Sequence, residues 1–265
     1  MMRDDGVMLK AIIFDLDDTL IDWSGFTGDW TQIETKHLRP VYDYLRSKHD
    51  PLKDFAEFCN TFYTQTRAAW SQGQATLNAP HLGELLVNTA FACGVPETLN
   101  GMPRDEFRKK LLHLHHWSPV EGTTVFADVT DILTKLRAHK IKLALLTNAY
   151  QPMWMRDIEM RAHGLIDFFP MCRFSAADIG LLKPHPNAFH KVLECIGIEP
   201  HEAVFVGDSP DTDIAGAQAA GMKSILRVVK RTQPMISGLI VPDSAINTLH
   251  ELPAVLDDWF PGWRD

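Results

Sequence analysis

Cysteine is scarce in this chain and carries no pattern. Four occur among 265 residues, Cys59, Cys93, Cys172 and Cys195, and no two form a CxxC pair. That spacing argues against a structural zinc site and suggests no disulfide framework, so reduced thiols packed in a core are expected. Long apolar runs are missing too; none approaches the roughly 20 residues that a membrane-spanning helix needs. The first ten residues are polar and partly acidic, unlike a signal peptide, so a cytoplasmic protein is expected. Basic charge is short, with 26 Lys and Arg against 34 Asp and Glu and a net charge of −8. A surface of that sign argues against nucleic acid or an anionic membrane as partner, while leaving room for a local cationic pocket. No internal repeat or low-complexity segment is present.

What is present begins with ten residues, Ala11-Ile12-Ile13-Phe14-Asp15-Leu16-Asp17-Asp18-Thr19-Leu20. Four apolar residues, two of them β-branched, run into an acidic turn. This is the pattern of a strand buried on both faces inside a parallel sheet. Asp15 closes that strand and Asp17 follows two positions later. In open α/β sheets ligands bind just beyond the carboxyl ends of the strands, which puts both carboxylates where chemistry is done. Two carboxylates held close repel each other, so one tends to stay protonated unless a cation intervenes. An ionised Asp that attacks, beside a protonated Asp that donates, is a workable phosphoryl-transfer pair. A solvated acidic loop with Asp18-Thr19 capping a helix is the plain alternative, and the rest of the chain has to decide.

From Trp30 to Pro119 the pattern is helical. Trp30, Ile33, Val41 and Leu45 mark a first amphipathic helix, which Pro40 is expected to kink or split. Phe55, Phe58, Phe62 and Ala69 mark a second, ending near Gly73. Leu82 to Cys93 gives a third, stopped by Gly94, and Phe107, Leu111 and Leu114 give a fourth, ended by Pro119. The spacing predicts an all-helical insert over residues 23–119, with hinges at Ile21–Ser24 and Pro119–Thr123, inside a core made of residues 1–22 and 120–265. Beyond Asp128 helices and strands alternate. Strands are predicted at Lys142–Leu146, Cys172–Ser175, Ala203–Val206 and Ser224–Val228, with an edge strand at Leu239–Val241 before a last helix near Ala245–Asp257. This alternation implies a parallel sheet with helices on both faces. The expected fold class is α/β, a Rossmann-like core carrying an inserted helical domain.

Three further stretches meet the same sheet edge. Thr147-Asn148 follows the Leu145-Leu146 strand, where a hydroxyl and an amide could donate to a phosphate oxygen. A helix N-cap before Gln151-Pro152 explains the dipeptide equally well. Lys183-Pro184 opens a helix, and Pro184 fixes the backbone that aims Lys183. A lone lysine is usually a surface charge, but a cation at this edge would offset phosphate charge and stabilise the transition state. Gly207-Asp208-Ser209-Pro210-Asp211-Thr212-Asp213 follows another buried strand, with Asp208 and Asp213 placed to approach a shared site. Magnesium takes oxygen ligands in near-octahedral geometry, and Asp208 with Asp15 would supply carboxylates. Helix capping by Asp211 and Thr212 accounts for part of this cluster, but not for its density at the end of a buried strand.

In order and spacing these four stretches resemble the haloacid dehalogenase-like (HAD) hydrolases, over roughly residues 8–23 and 122–228. The resemblance implies that Asp15 is the nucleophile and Asp17 the general acid/base. It implies phosphate binding by Thr147 and Lys183, assisted by Asn148. It also implies a Mg²⁺ site made by Asp15, the backbone carbonyl of Asp17, and Asp208, with Asp213 touching the metal directly or through water. The helical insert is similar to a cap domain of the C1 type. The implied function is Mg²⁺-dependent hydrolysis of a small phosphorylated metabolite, a phosphate monoester, through a phosphoaspartyl intermediate. Rival readings are a phosphotransferase or mutase on the same core, a non-catalytic binding protein, and a dehalogenase. Asp17 speaks against the last, because the dehalogenase branch lacks an acid there. Arg67, Trp70 and His81 are the cap candidates for substrate contact. His113, His115 and His116 are expected to form a solvated helix end rather than a metal tract.

Overall fold

A strand buried on both faces must pair its backbone on both edges, which places it inside a sheet rather than at a rim. The computed structural model describes residues 8–229 and 240–265. There β1 (Ala11–Phe14) leads through β2 (Ile21–Asp22) to four helices, α1 (Trp30–Lys48), α2 (Phe55–Thr76), α3 (Leu82–Ala92) and α4 (Arg104–His115). The chain returns through β3 (Thr124–Val125), α5 (Val129–Ala138), β4 (Lys142–Thr147), α6 (Met153–Ala162), β5 (Arg173–Ser175) and α7 (Ala176–Ile179). It closes with α8 (Pro186–Ile196), β6 (Ala203–Gly207), α9 (Ala215–Ala219), β7 (Lys223–Arg227), β8 (Ser244–Ile246) and α10 (Leu252–Trp259). The main sheet runs β5-β4-β1-β6-β7-β8, and every pairing in it is parallel. Side chains alternate across a strand. Ile12 and Phe14 of β1 accordingly pack with Ile132 of α5, Met155 of α6 and Leu256 of α10, while Ile13 packs with Phe189 of α8 and Ala217 of α9. Helices therefore cover both faces, and the fold is α/β and Rossmann-like.

The four inserted helices meet the sheet domain at several places. β2 and β3 pair antiparallel across the two expected hinges, Ile21 with Val125 and Asp22 with Thr124. At the other end the loop after α2 lies along the core. Ala79 N donates to Gly180 O at 3.0 Å and Leu182 N to Leu77 O at 2.8 Å, so the insert is tied to the segment that leads into Lys183. None of the described helices is long and apolar enough to cross a membrane.

Four expectations need correction. Helix α1 is not split at Pro40 but continues through it to Lys48. The ring removes one backbone hydrogen bond, but Leu38, Val41 and Tyr42 on either side of it are buried and hold the helix against its neighbours. Helix α2 passes Gly73 and ends only at Thr76, where Leu77 turns left-handed. The last strand is Ser244–Ile246, where the last helix was expected to begin; Ile240 and Val241 form no strand, and Leu239 lies outside the described residues. A polar anchor sets that edge: Asp243 accepts hydrogen bonds from the backbone and hydroxyl of Ser224 at 2.9 and 2.8 Å. Finally, Cys172 and Cys195 form a disulfide, with Cα atoms 5.7 Å apart, so only Cys59 and Cys93 are free thiols. Cys172 precedes β5 and Cys195 lies on α8, neighbours that only the folded sheet brings together.

Candidate active site

Three adjacent strands deliver the acids and donors to one edge. Asp15 continues β1 by one residue, its N–H donating to Val206 O at 2.9 Å. Thr147 ends β4 and Asp208 follows β6. Gly207 matters here because Asp213 folds back over it, and a Cβ at that position would overlap the Asp213 carboxylate. Lys183, only 3% exposed, reaches between two acids: Nζ donates to Asp15 Oδ1 at 2.7 Å and to Asp213 Oδ1 at 2.6 Å. Asn148 holds the backbone of that lysine from both sides, donating to Lys183 O at 3.0 Å and accepting from Lys183 N at 2.8 Å. Asp213 Oδ2 also accepts from Ser209 N at 3.0 Å, so both oxygens of this acid are engaged.

Asp15, Asp208 and Asp213 each bring an oxygen within 4.8 Å of the others. Burial pushes Asp15 well above the usual carboxylate range; Lys183 pulls it down, and Asp213 and Asp208 push it further up. Burial and Asp213 push Asp208 up to about 7, against the pull of Lys183. Burial opposes the charge on Lys183, but Asp15 and Asp213 outweigh it and hold the ammonium above its ordinary value. Two buried acids and the half-buried Asp208 around one ammonium leave a surplus of negative charge, and their all-oxygen donor set fits a hard divalent cation.

The second acid has a different setting. Asp17 Oδ1 accepts from Trp23 Nε1 at 2.9 Å and from Arg156 Nη2 at 2.6 Å, while Oδ2 accepts from Thr147 Oγ1 at 3.3 Å. Arg156 lies on α6, is 5% exposed, and has Nη2 3.0 Å from Glu159 Oε2. Burial works against its charge, but Asp17 and Glu159 hold its pKa up. Burial raises the Glu159 carboxyl in turn, with Arg156 opposing. Sequence reading passed over Arg156, although a signal was there. It sits three residues after Met153 and four before Met160, both buried, so a charge falls on the apolar stripe of the helix.

A cavity of about 630 Å³ opens from Asp17, Asn148 and Arg156 into the space between insert and core. Trp70, a cap candidate, lines it and meets the Tyr150 ring edge-on at 6.1 Å. Glu34 of α1 lines it as well; its Oε2 accepts from Tyr150 OH at 3.2 Å, and its Oε1 lies 2.6 Å from His115 Nε2. His115 is therefore fully buried, contrary to the expected solvated helix end, because Glu34 provides its partner. His113 stays at the surface and stacks on Trp154 at 5.0 Å. Arg67 is exposed and lines a neighbouring hollow of about 510 Å³. His81 caps α3, its Nδ1 accepting from Gly83 N at 3.0 Å, and lines a third hollow. The structure thus gathers Asp15, Asp17, Thr147, Asn148, Lys183, Asp208 and Asp213 at one edge, and Trp70 lines the cavity that opens from it. Arg67 and His81 lie outside that cavity's lining.

Comparison with known proteins yields consistent relatives. The chain is 26% identical over 258 residues to the human N-acylneuraminate-9-phosphatase, covering 94% of each chain. It is 36% identical over 220 residues to the glyceraldehyde 3-phosphate phosphatase of Methanopyrus kandleri, covering 82% of this chain and 83% of that one. Among solved structures, the 2-haloacid dehalogenase of Pseudomonas syringae pv. Tomato superposes with a TM-score of 0.59 at 26% identity, covering 95% of this chain and all of that one. The profile of haloacid dehalogenase-like hydrolases matches residues 9–221, a span that contains every acid and donor gathered at the sheet edge. The chain belongs to the haloacid dehalogenase-like hydrolase family.

Proposed function

We propose that the protein is a Mg²⁺-dependent phosphatase that hydrolyses a small phosphate monoester through an aspartyl phosphate on Asp15. The observation that carries this reading is the separate holding of two acids two residues apart, Asp15 by Lys183 and Asp17 by Arg156. A nucleophile and a proton carrier must do different work at one phosphorus atom, and different partners allow it. The phosphatase relatives support the same class of reaction.

Asp15 attacks phosphorus, and the bond from phosphorus to the alcohol oxygen breaks. Asp17 gives a proton to the departing oxygen. Asp17 then takes a proton from water, which attacks the same phosphorus and returns Asp15 as a carboxylate with phosphate released. Lys183 and Thr147 hold phosphoryl oxygens, and Asn148 keeps the lysine backbone in place. Asp15 and Asp208 would hold Mg²⁺ together with the backbone carbonyl of Asp17, while Asp213, with both oxygens engaged, anchors Lys183 and Ser209. When bound, the metal supplies positive charge that offsets the phosphoryl group and the buried acids. All three contacts of Asp17 are to donors, so the ligand-free site presents it as an acceptor. Oδ2 accepts a single hydrogen bond, so Asp17 has room to carry a proton there while these contacts hold. Residues 23–119 act as a cap that covers the site and excludes water.

Phosphate release from a panel of monoesters, with Mg²⁺ and with excess chelator, tests the proposal. The expected result is release that needs Mg²⁺ and no added acceptor. Release only with an alcohol acceptor would make the protein a phosphotransferase, and chloride release from a 2-chloro acid would make it a dehalogenase.

A further inference from the structure

Building on the phosphatase reading, we propose that the substrate is the phosphate ester of an uncharged aromatic or heteroaromatic alcohol that bears no second anion. The ester's phosphate would sit at Asp15 and its ring would fill the cavity between insert and core. That cavity, about 630 Å³, has the size of a small-molecule site. Eight of its seventeen lining residues are aromatic. On one wall the rings form a continuous surface: Trp30 lies 5.4 Å from Trp23, 5.0 Å from Phe26 and 6.4 Å from Trp117. Trp70 and Tyr150, edge-on to each other at 6.1 Å, line the cavity as well. A lining so rich in rings suits a flat ring better than a polyol.

Charge narrows the class further. Among the described residues the lining holds the carboxylates Asp17, Asp18 and Glu34 and one cation, Arg156. Arg156 already bridges Asp17 and Glu159. A carboxylate on the substrate would therefore face Asp17 and Glu34 and find no second cation among the described lining residues. Arg67 belongs to the neighbouring hollow. One polar group in the wall awaits a partner: Thr66 Oγ1 is buried, lines the cavity and has no hydrogen bond. A ring nitrogen or hydroxyl of a heteroaromatic substrate would satisfy it.

The test compares kcat/KM for benzyl phosphate and 3-pyridylmethyl phosphate with glycerol phosphate, phosphoglycolate and O-phosphoserine, all primary alcohol esters. Both ring esters should exceed both carboxylate esters by about tenfold or more. Trp70→Ala should lower the ratio of benzyl to glycerol ester by about fivefold, and Thr66→Val should lower the ratio of pyridylmethyl to benzyl ester by a few-fold. Preference for phosphoglycolate or phosphoserine, or ratios that ignore Trp70→Ala, would overturn the proposal. A binding arm stands apart from turnover: benzylphosphonate should bind at least about tenfold tighter than phosphonoacetate, read by indole fluorescence with Mg²⁺ present. Failure to release phosphate from any ester, 4-nitrophenyl phosphate included, would refute the phosphatase reading. The phosphonate comparison would still decide the ring preference, and equal or reversed affinities would end it.

Discussion

Asp15 and Asp17 are neighbours in sequence, yet each is tied to its own buried cation. Lys183 joins Asp15, just past the end of β1, to Asp213 on the helical turn Pro210–Ile214. Arg156 joins Asp17 to Glu159, and its own helix supplies the second acid. The lysine side faces the acid cluster suited to a metal, whereas the arginine side opens onto the aromatic cavity. In the proposed mechanism one cation serves the phosphoryl group and the other serves the leaving group. A buried pair does little for net stability once desolvation is counted, but removing one partner leaves a stranded charge. Loss of either cation should therefore be felt, and in different readouts.

The strongest break in the comparison is Asp15→Asn. It should lower kcat by at least about 10⁴-fold while leaving the fold intact, because an amide cannot form the acyl phosphate. Circular dichroism would confirm folding alongside the assay. Next is Lys183→Met, expected to cost about 10³-fold in kcat, equally for 4-nitrophenyl and alkyl esters. The same variant should lose about 3–5 kcal/mol of stability in denaturant titrations without metal, since Asp15 and Asp213 are left unpaired. Arg156→Lys should be milder and selective. We expect about 10- to 100-fold loss with an alkyl ester but less than about fivefold in the first step with the nitrophenyl ester, whose leaving group needs little acid help. Equal losses on both esters would mean that Arg156 only supports the fold.

The smallest effect concerns pH. Asp208 is raised from the usual 3.8 to about 7. A raised acid favours the folded state while protonated, so this contribution is complete below about pH 4 and is lost as pH rises through about 7. A bound cation offsets the loss. The Mg²⁺-induced rise in Tm should accordingly be larger at about pH 8 than at about pH 5, by scanning calorimetry. A shift of equal size at both would place the metal away from Asp208.

Most of the lysine side was legible in the sequence, and most of the arginine side was not. Asp15, Thr147, Asp208 and Asp213 lie just beyond or at the ends of apolar runs, and a buried strand aims whatever follows it at the sheet edge. Lys183 stood next to a proline at a helix start, a local signal. Arg156 falls on the apolar stripe of its helix, but its pairing with Glu159 and Asp17 shows only once that helix is placed with the stripe inward. The grip of the Asn148 amide on the Lys183 backbone is a contact across 35 residues that no local pattern encodes. The helical insert was read correctly as helical. Its aromatic wall was missed, apart from Trp70, because residues as distant as Trp23, Trp70, Trp117 and Tyr150 share one cavity only after folding. The disulfide and the shifted edge strand failed for a related reason, since both depend on elements that pack together from far apart in the chain.

The division of labour between the two acids is most directly tested with Asp17→Asn and 4-nitrophenyl phosphate, by rapid acid quench and intact-protein mass spectrometry. The nucleophile remains and the leaving group departs unaided, but the amide cannot activate water for the second step. The variant should release at most a burst of nitrophenol and accumulate one phosphoryl group on Asp15, labile to hydroxylamine. Steady turnover near the wild-type rate, or phosphorylation that persists in Asp15→Asn, would contradict the account.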